Sequence, residues 1–207
     1  MLKAANLGHA PANSSLANFY FTGMNGFVKD PAEGFFRASV AFALDENNLQ
    51  AALFFGMYHH RELIPEPSPY LACYCLNIAT TNENFGGVSC YFYSQALQRL
   101  VEYSHDGNIG IPGSNAVPAM FFWLRKSCNL GFSDALDQLK KWESRLQCFC
   151  GNCGKNVQPG EKFKQCSKCN AEWYCSKECQ VEAWKAGHKK DCKCSRILKF
   201  EDYLDAE

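Results

Sequence analysis

Cys150-Gly-Asn-Cys153, then after twelve residues Cys166-Ser-Lys-Cys169, after five more Cys175-Ser-Lys-Glu-Cys179 and after eight more His188-Lys-Lys-Asp-Cys192: this stretch decides how the chain is read. Eight thiol and imidazole ligands fill two tetrahedral sites. A C-x-x-C pair on a tight turn holds two sulfurs about 2.3 Å from one zinc, and Gly151 and Gly154 ease that turn. Cys175 and Cys179 are four apart, as are His188 and Cys192, so each pair lies on one face of a helical turn and completes a site. The segment has few aliphatic residues and much Lys, so metal must fold it; structural zinc contributes on the order of 10 to 16 kcal/mol. Phe163, Trp173, Tyr174, Val181 and Trp184 are expected to form a small core between the sites, with part of an aromatic surface exposed.

Outside this stretch the composition changes. Of thirteen Cys, only Cys73, Cys75, Cys90 and Cys128 precede Cys148. Residues 1 to 147 carry 10 basic and 12 acidic side chains, residues 148 to 200 carry 11 and 5, and residues 201 to 207 add four acids. The neutral total therefore hides a basic module, which seven thiolates and two Zn2+ reduce from +6 to about +3. The chain has 207 residues, 47% hydrophobic, enough for a sizeable core and against disorder throughout. No run of about 18 apolar residues appears, and the start lacks the apolar core of an export signal. The expectation is a soluble, non-secreted protein, cytoplasmic and/or nuclear and not membrane-bound, in which this cysteine density means metal rather than disulfides.

Cys-x-x-Cys-Gly, Cys-Ser-x-Cys, Trp173-Tyr174-Cys175-Ser176-Lys177-Glu178-Cys179-Gln180, Trp184, His188 and Cys192 together resemble the MYND zinc finger over residues 150 to 192. The resemblance implies two Zn2+ in an interleaved arrangement, Cys150, Cys153, Cys175 and Cys179 on one and Cys166, Cys169, His188 and Cys192 on the other. It also implies a protein-interaction role, typically gripping a strand such as Pro-x-Leu-x-Pro. In one departure, Trp184-Lys-Ala-Gly-His188 is a residue longer than the common Trp-x-x-His form. Cys148 and Cys194 flank the terminal ligands as spare thiols. Gln180 and Trp184, four apart on one predicted helix, project side by side. An indole that stacks prolines beside an amide that meets their carbonyls suits a Pro-rich peptide.

Upstream, Asn25-Gly26, Asp30-Pro31, Pro65-Glu-Pro67-Ser-Pro69, Gly86-Gly87 and Gly107 to Gly113 interrupt apolar segments of helical length, implying about six helices of 8 to 15 residues. Leu97, Leu100, Val101 and Tyr103 show helical spacing, as do Leu136, Leu139, Trp142 and Leu146. Cys73-Tyr-Cys75-Leu and Val88-Ser-Cys90-Tyr could pass locally for strands, but repetition decides for helix. Trp123 to Ala135 resembles the second half of a Sel-one-like repeat, a relative of the tetratricopeptide (TPR) motif. Weaker copies place Ala41, Ala79 and Ser127 at intervals of 38 and 48, the second enlarged by a loop with Asn84-Phe85-Gly86-Gly87. Small residues recur because close helix crossings leave no room for large ones. The expected fold is all-α, a short solenoid of stacked helix pairs with a C-terminal two-zinc finger. Its parts are a tail over 1–12, repeats over 13–147, the finger over 148–194 and an acidic tail over 195–207. No Pro/Gly/Ser linker separates the last helix from Cys148, which predicts a rigid junction.

Nothing points to catalysis. His59-His60 project about 100° apart on a helix and mark its end rather than a chelate. His105-Asp106 reads as a turn, and the early Cys as small core hydrophobes. No G-x-S-x-G, H-E-x-x-H or phosphate loop occurs. The finger also accompanies SET-domain methyltransferases, whose Asn-His-Ser cofactor motif is absent. The chain resembles the repeat-plus-finger half of plant-type F-box proteins, with too few leading residues for an F-box. The reading is a non-enzymatic adaptor with a helical-repeat surface and a peptide-binding finger. The alternative is a nucleic-acid-binding or transcriptional module using Lys177, Lys185, Lys189, Lys190, Lys193 and Arg196; Lys without base-reading partners argues against it.

Overall fold

A computed structural model describes residues 1–81, 85, 87–105 and 116–193. The chain is mostly helical and divides into two compact units, Met1–Phe85 and Gly86–Glu207.

In the first unit every helix after the first starts at a residue whose side chain caps it. Helix α1 is Leu2–Asn6 and α2 Ala10–Thr22, so the residues expected as a tail hold a short helix; the Asn13 amide donates to Ala5 O (3.0 Å) and ties the two together. Helix α3 (Pro31–Leu44) starts at Asp30, which accepts from Glu33 N–H at 3.0 Å. Helix α4 (Leu49–His60) is capped by Asn48 and α5 (Pro69–Ala79) by Ser68, so the Pro65–Pro69 run separates two helices as expected. Helix α2 packs on α3, and α4 packs on α5 and back on α2 and α3. Small residues set these approaches: a Cβ on Gly56 would lie 2.8 Å from Leu76 Cγ. Ala41 and Ala79 are fully buried. Tyr58, also fully buried, donates to Ala17 O at 3.3 Å, and burial raises its phenol pKa far above the usual range.

In the second unit, α6 (Val88–His105), α7 (Val117–Asn129) and α8 (Ser133–Leu146) pack in sequence order. Seven helices thus lie between Ala10 and Leu146 among the described residues, one more than the turn signals imply. Both segments that could pass for strands are helical, and Cys73, Cys75 and Cys90 are buried; burial pushes the Cys75 thiol up to about 12. Leu97 and Leu100 face the core. On α8 Leu136 is 48% exposed, and Trp142 is half-buried and donates to Gln98 Oε1 at 3.1 Å. Ser127, fully buried, donates to Gly87 O at 2.8 Å. The expected turn at Gly107–Gly113, Asp106, Asn84, Gly86, Cys194, Arg196 and the acidic tail lie outside the described residues, as do the side chains of Val101, Tyr103 and His105. Among the described residues no helix is long and apolar enough to cross a membrane.

Candidate metal centre

The finger is built on two cysteine turns and one small hairpin. In the first turn Gly154 N–H donates to Cys150 O at 2.9 Å, with Gly154 at φ 69°; in the second, Asn170 N–H donates to Cys166 O at 2.9 Å. Strands β1 (Lys164–Gln165) and β2 (Trp173–Tyr174) pair antiparallel, Lys164 opposite Tyr174, and return the chain from the second turn to Cys175. Helix α9 (Lys177–Ala183) starts at Ser176, which accepts from Cys179 N–H at 3.2 Å, and so carries Cys179 back toward Cys175. Cys192 N–H donates to His188 O at 2.7 Å, closing the last ligand pair on one helical turn that includes α10 (Lys189–Asp191).

Two clusters result: Cys150, Cys153, Cys175 and Cys179, and Cys166, Cys169, His188 and Cys192, the ligand atoms of each lying within 4.8 Å of one another. Tetrahedral zinc with Zn–S near 2.3 Å requires sulfurs about 3.8 Å apart, and a little less from sulfur to nitrogen. The observed separations meet this: Cys153–Cys175 3.7 Å, Cys175–Cys179 3.5 Å, Cys166–Cys192 3.9 Å, and His188 Nε2 to Cys166 3.4 Å and to Cys169 3.7 Å. Both donor sets fit zinc with all four positions filled by protein, which makes the sites structural rather than catalytic. The pairing is the interleaved one, so the chain passes from one site to the other three times.

The local electrostatics favour metal. Burial resists ionisation of Cys150, but the N–H groups of Cys153, Cys175 and Asn152 outweigh it and lower this thiol to about 6. Cys166 is lowered in the same way, against its burial, by the N–H groups of Cys169 and Lys168. Burial lowers His188, with Asp191 opposing, which keeps the imidazole neutral as a ligand must be.

The longer Trp184-to-His188 interval has a local solution. Residues Trp184–His188 form a single π-type turn, in which Gly187 takes φ 153°, outside helical space. A π-turn absorbs one extra residue without displacing the next helical turn. His188 therefore still reaches the second site, and only Gly adopts the conformation at 187 without strain.

The small core departs from expectation in two places. Besides cysteines it consists of Tyr174 and Ala183, with Phe163 packed against them. Tyr174 lies between the sites, its ring 5.9 Å from that of His188. Val181, expected inside, is 43% exposed, because the seven-residue α9 has one covered face and Ala183 occupies it. Trp173 is buried against Phe121 of α7, ring centroids 6.0 Å apart, rather than within the finger.

That contact belongs to a larger junction that no motif announces. Arg125 of α7 donates to Cys169 O (3.0 Å), to Asn170 O, and to Glu143 of α8 (3.0 Å), with its guanidinium over the Phe121 ring. One side chain thereby holds the second cysteine turn to two helices. The sequence signal is weak, because Arg125 and Lys126 together read as the ordinary basic end of α7. Val157 N–H donates to Cys148 O at 2.9 Å where α8 enters the finger, and the Cys148 thiol lies 3.4 Å from Ser144 O, outside both clusters.

Comparison with known proteins agrees with this geometry. Residues 150–192 match the family model described as the MYND finger. This segment is a MYND finger. The chain is 45% identical over 47 residues to a SET and MYND domain-containing protein of Dictyostelium discoideum (21% of this chain, 8% of that one). It is 35% identical over 63 residues to an F-box protein of Arabidopsis thaliana (26% and 19%), and 41% over 44 residues to the mouse ankyrin repeat and MYND domain-containing protein 1 (21% and 5%). The matches span less than a fifth of these relatives, and no solved structure matches the chain. The MYND finger is a protein-interaction domain. On it Gln180, in α9, and Trp184, opening the π-turn, are both half-buried. The indole rests against the His188 ring at 5.9 Å, and Lys168 Nζ sits 5.0 Å from its centroid.

Proposed function

We infer that the chain is a non-enzymatic adaptor, its MYND finger gripping short proline-rich strands of the Pro-x-Leu-x-Pro kind on Gln180 and Trp184. Its helices, read as stacked Sel-one-like pairs, offer a second protein-binding surface. The observation that carries the reading is Trp184, a half-buried indole braced by the zinc ligand His188 and one turn from the Gln180 amide. A rigid aromatic with a polar neighbour is what an extended, pre-formed polyproline strand needs: ring stacking, and a donor for its free carbonyls. The two zinc sites supply rigidity rather than reactivity, and both are coordinatively complete.

The test is calorimetric titration of a Pro-x-Leu-x-Pro peptide into the full chain, each variant first shown to hold two zinc. Trp184→Ala is expected to cost about 2 kcal/mol or more of binding, and Gln180→Ala roughly 0.5 to 1.5 kcal/mol. Unchanged affinity in metallated Trp184→Ala removes the site.

A further inference from the structure

Where the second cysteine turn docks on α7 the surface dips into a groove of about 530 Å³. Phe122, Lys126 and Asn129 line it from α7, and Lys168, Asn170 and Lys193 from the finger. Among the described residues no carboxylate lines it. Arg125 at its floor is engaged by the carbonyls of Cys169 and Asn170 and by Glu143, and the zinc cluster behind Cys169 and Cys192 carries one net negative charge when metallated. Lys168 over the Trp184 ring, Lys126 held 5.3 Å from the Trp123 ring centroid, and Lys193 make the lining cationic. Phe122 is 44% exposed there, an aromatic surface ringed by cations. The groove also adjoins the indole face, because Lys168 lines the one and stands over the Trp184 ring of the other.

We propose that this groove receives the acidic flank of the same partner peptide, a few Asp or Glu residues around one apolar side chain that packs on Phe122. The proposal rests on the peptide-binding reading above and names the chemistry of the partner beyond its prolines. Charge complementarity selects carboxylates, and a cavity of this size holds a few side chains. A nucleic-acid backbone would instead need a longer cationic track along an open surface.

The experiment uses the full zinc-loaded chain and three labelled probes: a Pro-x-Leu-x-Pro core, the core extended at either end by Glu-Glu-Leu-Glu, and the core extended by Lys-Lys-Leu-Lys. The acidic extension at one end is expected to tighten binding roughly three- to tenfold over the core at low salt, as two or three exposed ion pairs allow. The basic extension is expected to weaken it. Lys126→Glu with Lys193→Glu should abolish the gain while leaving core affinity unchanged, and Phe122→Ala should reduce it. Equal affinity for core and acidic probe, or a gain that survives the double reversal, overturns the proposal. If the core alone fails to bind but free Glu-Glu-Leu-Glu binds with lysine dependence, the groove stands and the proline reading falls. Two other occupants would also overturn it. One is the chain's own Glu201, Asp202, Asp205 and Glu207, shown by a gain that appears only after truncation at Phe200. The other is nucleic acid, shown by a duplex binding with the same lysine dependence and displacing the acidic probe.

Discussion

The unit over residues 1–85 and the MYND finger hold themselves together by different means. The first buries Leu16, Tyr58 and Leu76 completely, closes α4 on α5 through Gly56, and spends its polar groups on helix caps. Each such side chain contributes about 1.5 to 3 kcal/mol by leaving water. The finger's core, cysteines aside, is Tyr174 and Ala183, two residues that could not offset the ordering of some forty. Each structural zinc adds about 10 to 16 kcal/mol net of the folding it drives, and so makes up what this small core lacks. The difference teaches where each part is vulnerable: the helices to changes of volume, the finger to loss of metal.

The widest separation between the two should come from a chelator. Elemental analysis is expected to return two zinc per chain. Removing them should collapse the near-UV circular dichroism of Trp173 and Trp184 while far-UV helical signal from residues 1–85 persists. Because the sites interleave, Cys166→Ser should cost more than its own ion, lowering stoichiometry below one or loosening the first site as well. A chain that holds one zinc, or an apo finger with unchanged near-UV signal, would break the contrast.

A smaller effect is expected at the junction that joins the finger to α7. Arg125→Ala deletes hydrogen bonds to Cys169 O, Asn170 O and Glu143; Cys169 O loses its donor, while Asn170 O keeps the Gln165 amide at 2.7 Å. The cost should be about 2 to 3 kcal/mol, read as faster proteolysis between α8 and Cys150 with both zinc ions retained. Loss of zinc in this variant would mean that the helices help to form the metal sites rather than only receive them.

The smallest is a pH effect in the helical unit. His59 is buried between Phe35 and Phe55, its Nδ1 accepting from Ser68 N–H at 3.0 Å, and burial lowers its pKa below 6.5. A base that is harder to protonate when folded leaves stability intact above 6.5 and erodes it as pH falls from there toward the folded pKa. His59→Asn keeps an acceptor for Ser68 and cannot titrate. Its thermal midpoint should fall less than that of the parent between pH 7 and 5.5. Parallel curves would remove His59 from the acid response.

What could be read from the residues alone was local in the chain. All eight ligands, the interruptions at Asp30-Pro31 and Pro65–Pro69, and the helical nature of the Cys73 and Val88 segments come from spacing and from turn chemistry. These act over four residues or repeat at a period. The pairing of ligand pairs into sites came from resemblance rather than spacing, since closing one pair on another across 22 residues, as Cys153 on Cys175, is a tertiary event. Tertiary structure alone decided that Trp173 packs on Phe121, that Val181 stays outside, that a π-turn at Trp184–His188 absorbs the extra residue, and that Arg125 reaches the carbonyls of Cys169 and Asn170. The physical reason is common to all four. A metal ligand is recognisable by its element and its offset, whereas a docking contact needs only a side chain of the right length at a distance along the chain that no local pattern encodes.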